Sequence, residues 1–106
     1  MMKRIIIALV ISFMSMAIGF QVGEASELET GKQLYAKKRC RLCHAIEGKG
    51  GRMAADLSHV GSERDREWLS TFLKNPKKVL PGAKMMAVRG TEAELSSLVS
   101  YLLSQK

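Results

Sequence analysis

The stretch that decides the fold of this 106-residue chain is Cys40-Arg41-Leu42-Cys43-His44. It contains the only two cysteines in the sequence, two residues apart and followed directly by a histidine. C-x-x-C-H is typical of the attachment of a c-type haem, because thiols at this spacing can each add to one vinyl group of a single porphyrin. The next imidazole can then bind the iron. The motif therefore predicts one covalent haem c held by Cys40 and Cys43, with His44 as an iron ligand.

Two other uses of the cysteines have less support. A thioredoxin-like redox pair is expected beside a βαβ pattern, which the sequence lacks, and neither that pair nor a plain disulfide accounts for the adjacent histidine. A structural zinc site needs four ligands, and the only histidines available to add to the two thiols are His44 and His59. The motif thus favours haem over both alternatives.

The first 25 residues have the pattern of a secretory signal peptide. A short basic start precedes an apolar run over residues 5–20, and small residues occupy Gly23 and Ala25, the two positions that a cleavage site needs. We expect cleavage after Ala25, which divides the chain into a signal peptide (1–25) and one domain (26–106) and predicts a periplasmic location. The alternative is an uncleaved segment that anchors the protein in a membrane, although the apolar run is short for a span.

Residues 26–106 are expected to form three main helices joined by long loops. Ser26 and Glu29 have the spacing of a capping box at the start of the first helix, and Thr91 and Glu94 have it at the start of the last. The last helix then repeats apolar residues at 95, 98, 99 and 102, as an amphipathic helix does. No stretch has a convincing strand pattern. Loops this long in a small domain suggest that the chain wraps a cofactor.

The middle helix is expected to start at Ser62, with acidic residues in its first turn, and to stop at Asn75-Pro76. Its apolar residues at 68, 69, 72 and 73 share one face, which predicts that Trp68 packs in the core. In the first helix Gly31 costs about 1 kcal/mol against alanine. Close packing of another element would explain it, and a tolerated surface glycine is the alternative.

These features, in this order, resemble the class I c-type cytochromes over essentially all of residues 26–106. The segment Gly31–Tyr35 resembles the first helix of that family, and residues 75–85, which end in Pro81-Gly82-Ala83-Lys84-Met85, resemble its Asn-Pro…Pro-Gly-Thr-Lys-Met run. Leu98 and Tyr101 fit the terminal helix that crosses the first at the glycine. The resemblance implies an all-α cytochrome c fold, with three main helices and long loops around one covalent haem. It also implies that Met85 is the distal iron ligand.

Three other residues compete for the distal position. Met86 is adjacent, Met53 lies in an earlier loop, and His59 would give ligation by two histidines. The Pro-Gly-x-Lys-Met register favours Met85.

The sequence departs from the family pattern at three places. Ala54-Ala55 stands where the family usually has Gly-Pro, whose proline carbonyl accepts a hydrogen bond from the ligating histidine; the Ala55 carbonyl could still do so. Ala83 replaces a threonine whose hydroxyl could bind a haem propionate. Trp68 does not align with the tryptophan that contacts a propionate in mitochondrial relatives.

The function expected from these observations is a periplasmic one-electron carrier with no enzyme activity, since two axial ligands leave the iron without an open position. The alternative is a haem c electron-transfer subunit of a larger periplasmic oxidoreductase complex. A third hypothesis is a catalytic or gas-sensing haem with a labile sixth ligand.

The expected partners follow from charge. The formal net charge is +7, and lysines and arginines cluster around the two haem-binding segments. They are either an ordinary solvated surface or a positive ring that steers acidic redox partner proteins. We expect a monomer whose partners include membrane-bound proteins, and we expect neither a nucleic acid nor a small-molecule substrate.

Overall fold

The computed structural model describes residues 23–106. Most of the predicted signal peptide therefore lies outside the described residues. The described part contains α1 (Gly23–Lys37), a 3₁₀ turn (Cys40–Leu42), β1 (Ala45–Ile46), β2 (Lys49–Gly50), α2 (Val60–Glu63), α3 (Arg66–Lys74), α4 (Pro76–Val79) and α5 (Glu92–Leu103). None of these helices combines the length and the apolar character needed to cross a membrane.

Three main helices, α1, α3 and α5, confirm the all-α prediction. The prediction that no stretch forms a strand was wrong at one place. Ala45 pairs with Gly50 and Ile46 with Lys49 in a two-stranded antiparallel hairpin. Glu47 (φ 52°) and Gly48 (φ 77°) form its turn. Two consecutive residues with positive φ match the turns that suit the twist of a hairpin.

Helices α1 and α5 cross at Gly31, where their backbones are in direct contact. Gly31 is buried, and a Cβ atom built on it would lie 2.1 Å from the Ser97 carbonyl oxygen and 2.7 Å from Tyr101 Cβ. Only hydrogen fits in that space, which settles the question of Gly31 in favour of close packing. The crossing buries Leu98 and Val99 of α5 completely.

Two predicted helix starts were wrong. Ser26 lies inside α1 rather than at its start, since nothing in residues 23–25 stops the helix. Ser62 lies inside the short helix α2, and the chain is extended at Arg64 before α3 begins. The cap of α3 is Asp65, whose carboxylate accepts a hydrogen bond from the Trp68 backbone N–H at 2.8 Å.

The other two predicted boundaries are confirmed. Helix α3 ends at Lys74, directly before Asn75-Pro76, and Pro76 is then the first residue of α4. At the start of α5 the capping box is complete: Thr91 Oγ1 accepts from the Glu94 N–H at 3.1 Å, and Glu94 Oε1 accepts from the Thr91 N–H at 2.9 Å. The hydrogen bond from the Thr91 N–H also holds the pKa of the Glu94 carboxyl below its usual value.

Candidate functional site

The Cys40–His44 segment begins just after the end of α1. Arg39 has a left-handed backbone (φ 61°, ψ 30°), which ends the helix and leads directly into the 3₁₀ turn. The His44 N–H then donates to the Cys40 carbonyl at 3.0 Å, closing one turn that carries both cysteines. No disulfide joins the two cysteines; Cys40 is half-buried and Cys43 is exposed. Burial raises the pKa of the Cys40 thiol, so the neutral form is favoured.

An apolar cavity of about 220 Å³ opens beside this turn. Cys40 and His44 line it on one side, and Met85 lines it from the loop between α4 and α5. The rest of its wall is almost entirely hydrophobic and includes Leu57, Val60, Leu69, Leu73, Leu98 and Leu102. All three main helices thus contribute to one pocket.

His44 is oriented by a backbone group. Its Nδ1 lies 2.7 Å from the Ala55 carbonyl oxygen, so the imidazole donates its Nδ1–H to that oxygen. In this tautomer the lone pair of Nε2 is free to bind a metal, and the hydrogen bond makes the ring a better ligand. The replacement of Gly-Pro by Ala54-Ala55 has therefore not removed the hydrogen-bond partner of the histidine.

The segment that carries Ala55 is tied to the cysteine motif along its length. The Gly51, Ala54 and Leu57 amides donate to carbonyl groups of the stretch 41–45 at 2.9, 3.0 and 2.9 Å. Just beyond Ala55, the Asp56 carboxylate accepts from the Ser58 N–H at 2.8 Å, and hydrogen bonds from Ser58 lower the pKa of Asp56. These bonds fix the position of the Ala55 carbonyl without a proline ring.

The candidates for the distal ligand differ sharply in their exposure. Met85 is half-buried and lines the cavity, whereas the side chains of Met86 and Met53 are 84% and 87% exposed. His59 is exposed and does not line the cavity. The structure therefore brings Met85, Cys40 and His44 to one pocket and leaves the three competitors outside it.

The cavity wall also includes residues to which sequence reasoning gave no role in the site. Trp68 was expected to pack in the core, and it does pack against the core cluster as a half-buried residue. It also stacks on Phe72, with 4.9 Å between ring centroids, where both face the cavity. The Arg64 guanidinium lies 4.1 Å from the centre of the Trp68 ring. The four-residue spacing of arginine and tryptophan is a weak signal of this cation–π contact.

Tyr35 is another lining residue to which sequence reasoning gave no role in the site. Its side chain is 4% exposed, and burial is the main cause that raises its pKa to about 12. Its hydroxyl has no hydrogen-bond partner within residues 23–106. A buried hydroxyl without a partner costs about 1–3 kcal/mol.

The residues around the cavity fit a haem. The wall is mostly apolar, as a porphyrin requires, and it presents a thiol, an imidazole and a thioether. A bare metal ion fits less well, because residues 23–106 hold no group of three or more His, Cys, Asp or Glu side chains that could bind one. The donor set is thus suited to iron that already has four nitrogen ligands from a macrocycle.

The chain is similar in sequence to known proteins over most of its length. The family model for cytochrome c matches residues 28–106. Cytochrome c from Stellaria longipes is 33% identical over 89 residues, which cover 64% of this chain and 79% of that protein.

Two further relatives are named as parts of larger assemblies. Cytochrome c oxidase subunit 2 of Bacillus subtilis (strain 168) is 28% identical over 98 residues, which cover 78% of this chain and 28% of that protein. A nitric oxide reductase subunit of Halomonas halodenitrificans is 29% identical over 89 residues, which cover 76% of this chain and 59% of that protein. The chain therefore spans less than two thirds of the length of either relative.

Proposed function

Since this chain belongs to the cytochrome c family and binds one covalent haem c, we propose that it is a periplasmic one-electron carrier in which His44 and Met85 would be the two protein ligands of the iron. One observation carries the proposal: His44 and Met85 line the same apolar cavity, with Cys40 beside them. Haem-based electron transfer is the function of the family, and the ligand pair is the refinement that we add.

Each of the four residues has a distinct task. When bound, the haem supplies an iron(III)/iron(II) couple that takes up and releases one electron. Cys40 and Cys43 hold the ring through their sulfur atoms, and His44 is kept in one tautomer by the Ala55 carbonyl. Met85 contributes a neutral, soft sulfur donor, which favours iron(II) and raises the reduction potential.

The apolar wall supports the same function. It would keep water from the iron and would provide few polar groups that must reorient when the charge of the iron changes. With His44 and Met85 both bound, no coordination position remains for a substrate. The arrangement therefore suits transfer of an electron rather than catalysis of a reaction.

The ligand assignment is tested by the visible spectrum of the oxidised protein. Met85→Ala should abolish the charge-transfer band of methionine ligation, and the reduced variant should then bind carbon monoxide at neutral pH. Met86→Ala is the matched control, since its side chain is 84% exposed, and it should retain the band and resist carbon monoxide. Retention of the band in Met85→Ala, or its loss in Met86→Ala, would show that the assignment is wrong.

We further propose export to the periplasm with cleavage after Ala25. Small residues at Gly23 and Ala25 and the apolar run before them support it. Mass spectrometry of the mature protein should give a chain that begins at Ser26 and carries one haem. A mass that corresponds to the full chain would favour the membrane-anchored alternative.

A second candidate function is electron transfer within a larger complex. The observation that favours it is the similarity to proteins named as subunits of an oxidase and of a reductase. Native mass measurement after mild extraction from the source cells separates the two. A free carrier runs as a monomer of one haem, whereas a component of a complex remains with its larger partner.

The partners that we propose are acidic redox proteins, including membrane-bound ones. Lys84 is exposed next to Met85, so its charge lies beside the proposed distal ligand. Transfer rates should fall as ionic strength rises, and Lys84→Gln should weaken that dependence more than Lys32→Gln, which removes an exposed charge from α1. Rates that do not respond to salt would contradict electrostatic steering.

A further inference from the structure

The Tyr35 hydroxyl is a buried polar atom that the fold leaves without a partner. Tyr35 lies in α1 on the wall of the cavity, and its ring packs against Tyr101 with 5.5 Å between ring centroids. Its side chain is 4% exposed, and within residues 23–106 no group forms a hydrogen bond with the hydroxyl. Phenylalanine would fill the same space without burying an unpaired donor. A tyrosine here therefore implies a partner that becomes available only when the haem is attached.

Besides Cys40, four other polar or charged side chains share the cavity. Asp56 accepts from the Ser58 N–H, and Glu63 is not among the groups that affect the pKa of Tyr35. His44 Nδ1 donates to the Ala55 carbonyl, and the Arg64 guanidinium lies over the Trp68 ring. Cys40, which lines the same cavity, has no such side-chain partner among the described residues. After burial itself, Cys40 has the largest effect on the pKa of Tyr35, as expected for two groups in a shared apolar space. The Cys40 side of the cavity is therefore the place to look for the missing acceptor.

We propose that the Tyr35 hydroxyl donates a hydrogen bond to the Cys40 thioether sulfur of the attached haem and thereby raises the reduction potential. The inference deepens the proposed function, since it rests on the attached haem, but it is independent of the identity of the distal ligand. A thioether sulfur is a weak acceptor, and in an apolar cavity even a weak acceptor is better than none. The positive end of the O–H dipole then faces the haem, which stabilises the electron-rich iron(II) state. Tyr35 is in this view a tuning residue that acts through the Cys40 sulfur.

The test compares Tyr35→Phe with Tyr101→Phe in the protein with haem attached. Tyr101 is the matched control, because it belongs to the same aromatic pair but is not among the residues that line the cavity. Tyr35→Phe should lower the reduction potential and reduce stability towards denaturant, while its methionine charge-transfer band is unchanged. Tyr101→Phe should leave the potential as it is. The band reports separately on Met85, so a failure of the proposed ligand pair is distinguishable from a failure of this inference.

A second test replaces Tyr35 by a tyrosine that carries fluorine next to the hydroxyl, and the reduction potential should then shift in the opposite direction. The fluorinated tyrosine is a stronger donor with the same shape, and in a Tyr101→Phe background it should shift the potential upward. An unchanged or raised potential in Tyr35→Phe, or a holoprotein that becomes more stable, would overturn the inference. Either result would mean that the hydroxyl remains unpaired when haem is attached.

Discussion

Replacing Gly31 by alanine should destabilise the domain although it improves the helix. Alanine stabilises a helix interior by about 1 kcal/mol relative to glycine. Against this, the new methyl carbon would lie 2.1 Å from the Ser97 carbonyl oxygen and 2.8 Å from the Ser97 carbonyl carbon. The usual contact distance is about 3.5 Å, so α1 and α5 must move apart by more than about 1 Å. The contact is with backbone, which cannot turn aside as a side chain could.

The size of the effect follows from what that movement disturbs. Separation of the helices loosens the packing around Leu98 and Val99, which are fully buried. Overpacking of a well-packed core costs typically 1–3 kcal/mol, and a rigid backbone contact belongs at the upper end, about 3 kcal/mol. The net loss for Gly31→Ala is then about 2 kcal/mol after the helix gain is subtracted. For a domain of this size that corresponds to a fall of about 10 °C in Tm.

Chemical denaturation of the holoprotein, followed by circular dichroism, is the direct assay. Thr30→Ala, at an exposed position of the same helix, is the control and should be neutral or slightly stabilising. Gly31→Val should be worse than Gly31→Ala, since a larger group needs more space. A Gly31→Ala variant as stable as Thr30→Ala would refute the argument that close backbone contact is what selects glycine here.

Three further predictions concern helix caps and Tyr35. Asp65→Ala should cost about 1 kcal/mol, measured by denaturation, because the Asp65 carboxylate caps α3; Ser62→Ala, at the start expected from sequence, should stay within about 0.5 kcal/mol. Thr91→Ala should cost about 1 kcal/mol as well, and Thr91→Ser should recover most of it because the hydroxyl is kept. In the folded protein burial raises the pKa of Tyr35 to about 12, above its ordinary value, so the unfolded chain loses this proton first as pH rises. The resulting stability is complete below about pH 10 and is lost towards pH 12; Tyr35→Phe should lack this loss, and equal pH profiles would contradict the shift.

Local patterns in the sequence were sufficient for some elements. The Thr91–Glu94 box and the apolar repeat after it predict α5 correctly, because both the cap and the buried face lie within one helix. The stop at Asn75-Pro76 is also local, since proline lacks the N–H that would continue α3. In these cases no distant residue changes the outcome.

Two helix starts could not be found this way. Ser26 and Ser62 are followed by a glutamate or other acid as at a true cap, but a cap forms only where the chain leaves the helix. For α3, distant contacts help to decide that place: the Arg66 guanidinium donates to Ser100 Oγ of α5 at 2.6 Å, which positions the first turn of α3. The sequence pattern of residues 62–65 does not contain this contact.

In the candidate site, too, some features depend on local sequence and others on contacts between distant residues. The cysteines and His44 are recognisable because their chemistry depends on local spacing. The preference for Met85 over Met86 depended on the family register, and the orientation of the loop is consistent with it. The unpaired Tyr35 hydroxyl becomes visible only when three helices close around it.

The hydrogen bond from His44 to the Ala55 carbonyl has a consequence for how this protein can diverge. Every residue has a carbonyl group, so this hydrogen bond depends on the path of the backbone at position 55 and not on the identity of its exposed side chain. A saturation-mutagenesis library should thus tolerate many residues at 55 and few at Gly51, where a Cβ atom would lie 2.0 Å from the Leu42 carbonyl oxygen. Position 55 can therefore vary in sequence among related proteins although its carbonyl orients His44. An alignment would then show low conservation at a position that matters to the iron ligand.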